Sequence, residues 1–334
     1  MTYPPTRWPA PLLRLIARLW NDGVNTARPV TQITVPDVAA PDVDIVLSPK
    51  GTGAISADVP DGTAAGGNKR GTNAVDWQTS RTAATQVASG VSSVICGGYN
   101  NTSSGSGSFN GGGDNNSVSA SNGFNGAGLN NSVGGASSFC GAGSYNSTAN
   151  AYSTVCGGYS NTVTGDYGAI VGGAYGTTRG IVGYHAFPAC NSPINNSNGV
   201  SQAGLLILGR QTTDATATAL TSTTAGAGTS NQLTLSTSNS AISFSGEVVA
   251  AVTGGGDTAR WTIAGAIKRG ATLASVALVG TPTVTMTHND AGAGAWVVAV
   301  TADTTNGALR VTVTGAAATT IRWVCRLDTT EVRF

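Results

Sequence analysis

Six consecutive 15-residue units between residues 91 and 180 constrain the fold of this chain more than any other feature of its sequence. Glycine occupies the eighth position of every unit, at Gly98, Gly113, Gly128, Gly143, Gly158 and Gly173. Asparagine occupies the eleventh position of five units, at Asn101, Asn116, Asn131, Asn146 and Asn161. Glycine at one phase indicates a backbone corner that needs positive φ or close approach of the next coil. Asparagine suits a second corner, because it tolerates left-handed turns and can stack in a side-chain ladder.

Short apolar runs lie between these corners, and the fourth position aligns Val94, Phe109, Phe124 and Phe139. The runs predict strands of about four residues. Fifteen residues at about 3.3 Å each trace only a small closed coil, and coils stacked about 4.8 Å apart form a parallel β-solenoid. Apolar residues occur at both parities of the runs, so a second face needs burial. Three solenoids packed about one axis would provide it, which predicts a homotrimer.

The last part of the chain, residues 204–334, shows a different pattern of alternating apolar runs separated by turn residues. This pattern predicts an antiparallel β-sandwich of about eight strands, so the fold class is all-β. Trp261, Trp296 and Trp323 lie inside the apolar runs, which favours core packing over contact with sugars. Residues 41–90 are interpreted as a β-rich connector and residues 181–203 as a linker.

The first forty residues contain one candidate helix, over residues 11–21. Its apolar face is formed by Leu12, Leu15, Ile16, Leu19 and Trp20. A helix this short is marginal alone. We therefore interpret it as a docking segment for partner chains, with packing against the next module of its own chain as the alternative.

The charge balance argues against several partners. The chain has 17 basic and 16 acidic residues, and a nucleic acid or an anionic membrane would need clustered lysine and arginine. No cofactor, no metal and no membrane insertion are expected. The five cysteines are scattered and odd in number, and they are interpreted as small buried thiols.

Two segments of the repeat block, GGYNNTSSGSGS and VCGGYSNTVTGDYGAIVGG, resemble the head repeats of trimeric autotransporter adhesins of the YadA type. That resemblance implies left-handed parallel β-rolls packed as trimers. The stretch before the repeats, residues 44–90, resembles a segment of many phage tail fibres. RWTIAGAIKRG and AWVVAVTADTTNGALRVTVTG resemble C-terminal domains of phage tail proteins. The chain shows no secretion signal of the kind that the adhesins carry, which favours the phage resemblance.

These resemblances imply a structural tail fibre or tailspike of the virion, assembled in the cytoplasm of the bacterial host. It would attach the virion to a host surface glycan or protein receptor without catalysis. The N-terminal helix would dock onto other tail proteins, and loops of the sandwich would contact the receptor. The candidate receptor residues are Asp257, His288, Asn289, Asp290 and Asn306.

Two alternatives stay open, a bacterial adhesin head and a glycan-depolymerising tailspike. Glycan hydrolysis is disfavoured, because it requires two carboxylates close together. Asp114 and Asp166 lie 52 positions apart on different coils, and the carboxylates of the last module would meet only through folding.

Overall fold

The computed structural model describes residues 47, 49–190, 193–236 and 239–334, together with two short strands nearer the N-terminus. These strands, β1 (Trp20–Asn21) and β2 (Thr31–Gln32), pair antiparallel within an N-terminal unit that ends at Ser48. The helix predicted over residues 11–21 is therefore wrong at its C-terminal end, where strand pairing satisfies backbone groups that an isolated short helix holds only weakly. The remaining predicted docking residues lie outside the described residues: Leu12, Leu15, Ile16 and Leu19.

The second unit, Pro49–Phe334, begins with a parallel β-solenoid built from two-residue strands. They are β3 (Ile55–Ser56), β4 (Val75–Asp76), β5 (Val94–Ile95), β6 (Thr102–Ser103), β7 (Phe109–Asn110), β8 (Ser117–Val118), β9 (Phe124–Asn125), β10 (Ser132–Val133), β11 (Phe139–Cys140), β12 (Ser147–Thr148), β13 (Thr154–Val155), β14 (Thr162–Val163) and β15 (Ala169–Ile170). One ladder contains β3, β4 and the odd-numbered strands up to β15, and the other contains the even-numbered strands from β6 to β14. From β4 to β15 the second residue of each strand is buried, and the first is at least partly exposed.

The register of the ladders follows the sequence units, because Val94 pairs with Phe109 and Phe109 pairs with Phe124. The strands are shorter than the predicted four residues. Left-handed residues interrupt each coil at its second, eighth and tenth positions, for example Asn122, Gly128 and Asn130, whose φ angles are 55°, 110° and 55°. Three such turns leave room for only two consecutive paired residues on each side.

The solenoid begins before the 15-residue units, in the segment interpreted as a connector. Strand β4 pairs in parallel with β5, so that Asp76 lies beside Ile95 in the coil interior. The Asp76 carboxylate accepts a hydrogen bond from Arg70 Nε at 2.8 Å, and both side chains are buried. The 15-residue repeat does not mark the first coils because the residues that pair there, Ile55, Val75 and Val94, are 20 and 19 positions apart.

Ten strands follow in the last part of the chain. They are β16 (His185–Pro188), β17 (Ser201–Thr212), β18 (Thr218–Ala219), β19 (Leu233–Thr234), β20 (Ser240–Val252), β21 (Thr258–Arg269), β22 (Ala277–Asn289), β23 (Val297–Asp303), β24 (Ala308–Thr314) and β25 (Ile321–Arg333). Two short 3₁₀ turns cover Leu273–Ser275 and Ala291–Ala293. Strand β16, inside the predicted linker, pairs parallel with β15 and antiparallel with β17. The first solenoid ladder therefore continues without a break into an antiparallel sheet of order β17, β25, β20, β21 and β22.

A second antiparallel sheet forms around β24, which pairs with β18, β19 and β23. Buried side chains of both sheets share one hydrophobic cluster, as in a β-sandwich. Trp261, Trp296 and Trp323 all lie in this cluster, at most 3% exposed, so their predicted core position is confirmed. Among the described residues, the structure shows no helix with the length and apolar character to cross a membrane.

Candidate functional site

The predicted corner glycines adopt left-handed backbone in all six units, with φ between 81° at Gly173 and 110° at Gly128. A Cβ atom added at Gly128 would overlap the carbonyl oxygen of Gly143 in the next coil. Both the backbone angle and the close approach of the next coil therefore require glycine here.

The asparagines of the eleventh position are buried and form a ladder along the solenoid interior. The Oδ1 atom of Asn116 accepts a hydrogen bond from the backbone N–H of Asn131 at 2.9 Å. The Nδ2 atom of Asn131 donates to the carbonyl oxygens of Ala127 and Gly143, each at 2.9 Å. The expected ladder is present, but the left-handed corner falls one residue earlier, at the tenth position. That turn directs the following side chain inward.

One outer surface of the solenoid is apolar. It consists of the fourth and sixth positions of the units, and we call it the apolar face: Val94, Cys96, Phe109, Gly111, Phe124, Gly126, Phe139, Gly141, Thr154, Cys156, Ala169 and Val171. The rings of Phe109, Phe124 and Phe139 stack with centroids 4.9 and 5.1 Å apart. Each ring covers the glycine two residues later; a Cβ at Gly111 would lie 3.3 Å from Phe109 Cε1. In these three units the ring at the fourth position thus lies over the glycine at the sixth.

The apolar face contains two thiols that were predicted to be buried. Cys96 and Cys156 are exposed, and so is Cys190, whereas Cys140 and Cys325 are buried. The prediction is wrong for the first three. Cys96 and Cys156 are exposed because the sixth position points outward, on the same side as the fourth, and Cys190 lies beyond the repeat units. Burial, with a further contribution from the nearby Cys156, raises the pKa of Cys140 to about 12.

A second set of exposed aromatic side chains lies at the turns of the solenoid. Tyr152 and Tyr167 occupy the second position of successive units. Their rings stack, with centroids 5.0 Å apart and an angle of 12° between the ring planes. The ring of Tyr159 meets the rings of Tyr145 and Tyr175 edge-on, with centroids 5.6 and 5.4 Å apart. These columns were missed in the sequence, although the 15-residue spacing of Tyr152 and Tyr167 could have shown one of them.

Four of the five predicted receptor residues come together at one end of the β21–β22 hairpin. Asp290 Oδ2 accepts a hydrogen bond from the Thr258 amide at 2.9 Å, and His288 and Asn289 precede it in β22. The Asp257 carboxylate occupies the space beside Gly292, where a Cβ would overlap it. A surface cavity of about 490 Å³ is lined here by residues that include His288 and Asp290.

The fifth predicted receptor residue, Asn306, lies elsewhere, on the turn between β23 and β24. Its Nδ2 atom donates to Asp303 Oδ2 at 2.8 Å, and Arg310 contacts the same oxygen. Burial opposes ionisation of Asp303, but the hydrogen bonds from Asn306 and the charge of Arg310 outweigh it and hold the pKa of that carboxyl below its usual range. Asn306 therefore stabilises its own turn.

The structure also places the carboxylates considered for glycan hydrolysis. Asp257 and Asp290 flank the same hairpin end, which sequence spacing alone did not show. Glu247 is paired with Arg260 on the neighbouring strands, and Asp166 accepts a hydrogen bond from the Ala151 amide at 3.1 Å in a solenoid turn. Within the part of the chain that the structure describes, no three His, Cys, Asp or Glu side chains form a group that could hold a metal ion.

Comparison with known proteins gives few matches. No protein-family model matches the chain, and no curated protein is similar to it. Among solved structures, the chain is similar to the tailspike protein gp49 from Acinetobacter baumannii bacteriophage Fri1, a capsular polysaccharide depolymerase. The two share 8% identity and a TM-score of 0.20, over 78% of this chain and 46% of that one. The tailspike protein of Acinetobacter phage vB_ApiP_P1 is similar at 8% identity and a TM-score of 0.19, over 80% of this chain and 55% of that one. The chain thus spans about half the length of these tailspikes.

One sequence prediction is corrected by this comparison. The chain was expected not to be an enzyme, and the Fri1 tailspike is described as a depolymerase, which is an enzyme. The prediction of a protein without catalysis is therefore contradicted. With TM-scores of 0.20 and 0.19, the likenesses transfer neither activity nor substrate to this chain.

Proposed function

We propose that the chain is the subunit of a trimeric phage tail fibre or tailspike that attaches a virion to the surface of its host cell. The observation that carries the proposal is the continuous sheet that joins the solenoid to the antiparallel module through β16. A stacked solenoid supplies a stiff shaft, and a sandwich at its end presents loops whose chemistry can vary without disturbing the core.

Buried polar contacts reinforce the joint between the two parts. Arg179, in the last coil, forms an ion pair with Glu331 on β25, and both side chains are less than 10% exposed. The Tyr184 hydroxyl donates a hydrogen bond to the same carboxylate. Removing one partner of such a pair leaves a buried charge, at a typical cost of about 3–5 kcal/mol. These contacts therefore stabilise the junction between the solenoid and the terminal module.

The apolar face supports the proposed trimer. It contains no charged residue, and Phe139 is 39% exposed in the single chain. Its residues recur at the spacing of the coils, so the surface that matches it best is the same face of a second and third copy. Three copies around one axis would bury all three faces, with the closed symmetry usual for homo-oligomers.

Sedimentation combined with thiol labelling tests the trimer. At micromolar concentration we expect a trimer in which a maleimide labels Cys190 quickly but Cys96 and Cys156 slowly, because the partner chains cover them. Cys190 is the internal control, since all three thiols are exposed in the single chain. A folded monomer, or labelling of Cys96 and Cys156 at the rate of Cys190, would contradict the proposal.

Competition with virus tests the attachment function. Host cells incubated with excess purified protein should adsorb fewer virions, because the receptors are occupied. New reducing ends released from host envelope polysaccharide in the same mixture would report catalysis separately. Unchanged adsorption at saturating protein would rule out attachment through this chain.

The N-terminal segment is proposed to dock onto other tail proteins. Deletion of residues 1–40 should then leave cell binding intact and prevent incorporation into particles. Loss of cell binding by a trimer of this variant would instead place receptor contact at the N-terminal end.

A further inference from the structure

A pocket between the last solenoid coil and one end of the large antiparallel sheet combines arginine and hydroxyl side chains. We call it the arginine pocket; its volume is about 400 Å³. The residues that matter for its chemistry are Arg179, Arg269, Arg333, Thr229, Ser230 and Ser236. Small-molecule sites occupy roughly 300–1,000 Å³, so the pocket can accept one sugar unit.

The strand register places two arginines on either side of a serine. Ser240 on β20 lies directly opposite Arg269 on β21 and directly opposite Arg333 on β25. Residues directly opposite each other in antiparallel strands project from the same face of the sheet. The two guanidinium side chains therefore flank Ser240 on the face that meets the solenoid.

The side-chain carboxylate that pairs with Arg179, that of Glu331, is already saturated. Glu331 accepts from Arg179 Nη2 at 2.9 Å, from Gln202 Nε2 at 2.8 Å and from the Tyr184 hydroxyl. Arg269 donates to the carbonyl oxygens of Leu235 and Thr272, at 2.9 and 3.3 Å, and Arg333 donates to that of Asn198 at 2.9 Å.

Among the described residues, Arg269 and Arg333 thus contact only neutral acceptors. Arg269 is 5% exposed, and burial lowers the pKa of its guanidinium. A buried cation without a counter-ion is costly, and an anion in the pocket would offset that cost.

We propose that the arginine pocket binds the carboxylate of an acidic monosaccharide unit in a host surface glycan. Guanidinium groups match the geometry of a carboxylate, and those of Arg269 and Arg333 would bind it. Thr229, Ser230 and Ser236 would contact the sugar hydroxyls. This inference rests on the proposed attachment function and names its ligand class.

Titration of the full-length protein with four probes tests the ligand class. Glucuronate should bind saturably, at least tenfold more tightly than glucose, which lacks the carboxylate. Acetate and inorganic phosphate should bind at least tenfold more weakly than glucuronate, because they lack the sugar hydroxyls. Phosphate binding as tight as that of glucuronate would overturn the assignment to an acidic sugar in favour of a general anion site, and so would the absence of saturable glucuronate binding.

Variants locate the site. Arg333→Gln should weaken glucuronate binding at least tenfold. Arg322→Gln is the matched control, since Arg322 is exposed and Arg333 lies on the opposite face of the same strand, and it should bind like the parent protein. Equal affinities for the parent and Arg333→Gln, both folded by circular dichroism, would overturn the inference. If glucuronate fails to bind while the protein still blocks virion adsorption, the inference alone fails; if adsorption is also unaffected, the attachment function fails.

Discussion

The solenoid and the sandwich of this chain are both β-structures, but they are held together in different ways. The sandwich contains one large hydrophobic cluster, with Phe244, Trp261 and Trp323 among its buried members. In the middle of the solenoid the buried apolar cluster consists of only Val118, Ala120, Val133 and Cys140. The rest of that interior includes buried asparagine, serine and threonine side chains. A coil of 15 residues encloses too little volume for a large apolar core, so polar ladders and close backbone contact replace it.

This difference determines how far the destabilising effect of a substitution should extend in each region. Each solenoid coil contacts only its neighbours, so its stability is approximately a sum of local terms. The sandwich core is shared by two sheets, so loss of one large side chain affects the whole module. Four expected outcomes sharpen this comparison, from the largest effect to the smallest.

Gly128→Val should have the largest effect. Valine is strained at a φ of 110°, and its Cβ would overlap the carbonyl oxygen of Gly143. We expect a loss of more than about 5 kcal/mol in the free energy of unfolding, seen as failure to form soluble folded protein. Ser121→Val, at an exposed position seven residues earlier, is the control. Equal damage by both changes would show that the corner lies elsewhere in the unit.

Trp323→Ala should destabilise the sandwich by about 3–5 kcal/mol, because a large buried side chain leaves a cavity. The variant also loses the hydrogen bond from Trp323 Nε1 to Thr212 Oγ1, which is 3.0 Å long. Urea unfolding followed by tryptophan fluorescence measures the loss. Trp77→Ala removes a tryptophan that is 47% exposed and should cost less than about 1 kcal/mol. Similar losses for the two variants would contradict the assigned core.

Asn131→Ala should cost about 2–3 kcal/mol in the solenoid. It leaves the Ala127 carbonyl oxygen and the Asn146 backbone amide without these partners, and it removes one of the two hydrogen bonds to the Gly143 carbonyl oxygen, at about 1 kcal/mol each. Thermal unfolding by circular dichroism measures the effect. Asn68→Ala, at an exposed position, is the control and should leave the melting temperature unchanged. If Asn131→Ala melts at the same temperature as the control, the asparagine ladder does not stabilise the solenoid.

The smallest expected effect is a difference in labelling rate between the two buried thiols, which leaves the stability of the protein unchanged. Burial raises the pKa values of Cys140 and Cys325 to about 12, so both thiols stay protonated at pH 8 and react slowly with iodoacetamide. In mild urea, Cys140 should become labelled before Cys325, because single coils open more easily than a shared core. Peptide mass spectrometry gives both rates. Labelling of Cys325 first would reverse the comparison.

Several structural features followed from the sequence because they depend on local chemistry. Glycine at the eighth position predicted left-handed backbone, and the buried tryptophans were predicted from their apolar runs. Other predictions were wrong where tertiary contacts decide. The strand at Trp20–Asn21 replaces the end of a predicted helix because Thr31–Gln32 pairs with it. Cys96 and Cys156 were assigned to the interior because inward and outward positions look alike in a short apolar run.

The candidate receptor residues show the same division between what the local sequence indicates and what folding decides. Its loop residues could be proposed from turn signals, but only folding brought Asp257 and Asp290 to one hairpin end and left Asn306 on another. Nothing in the spacing of Arg269 and Arg333 indicates a common pocket, because they become neighbours only through the register of three long strands.

The amino-acid sequence by itself determined the stacked coils, since a 15-residue period with glycine and asparagine at set positions satisfies its backbone within one coil and the next. It also determined the antiparallel character of the last module through alternation of apolar residues. The tertiary structure alone decided which strands of that module adjoin the solenoid and which charged groups meet there. Strand order and register depend on contacts between residues more than a hundred positions apart, such as Arg179 and Glu331. The local sequence pattern does not indicate such pairs.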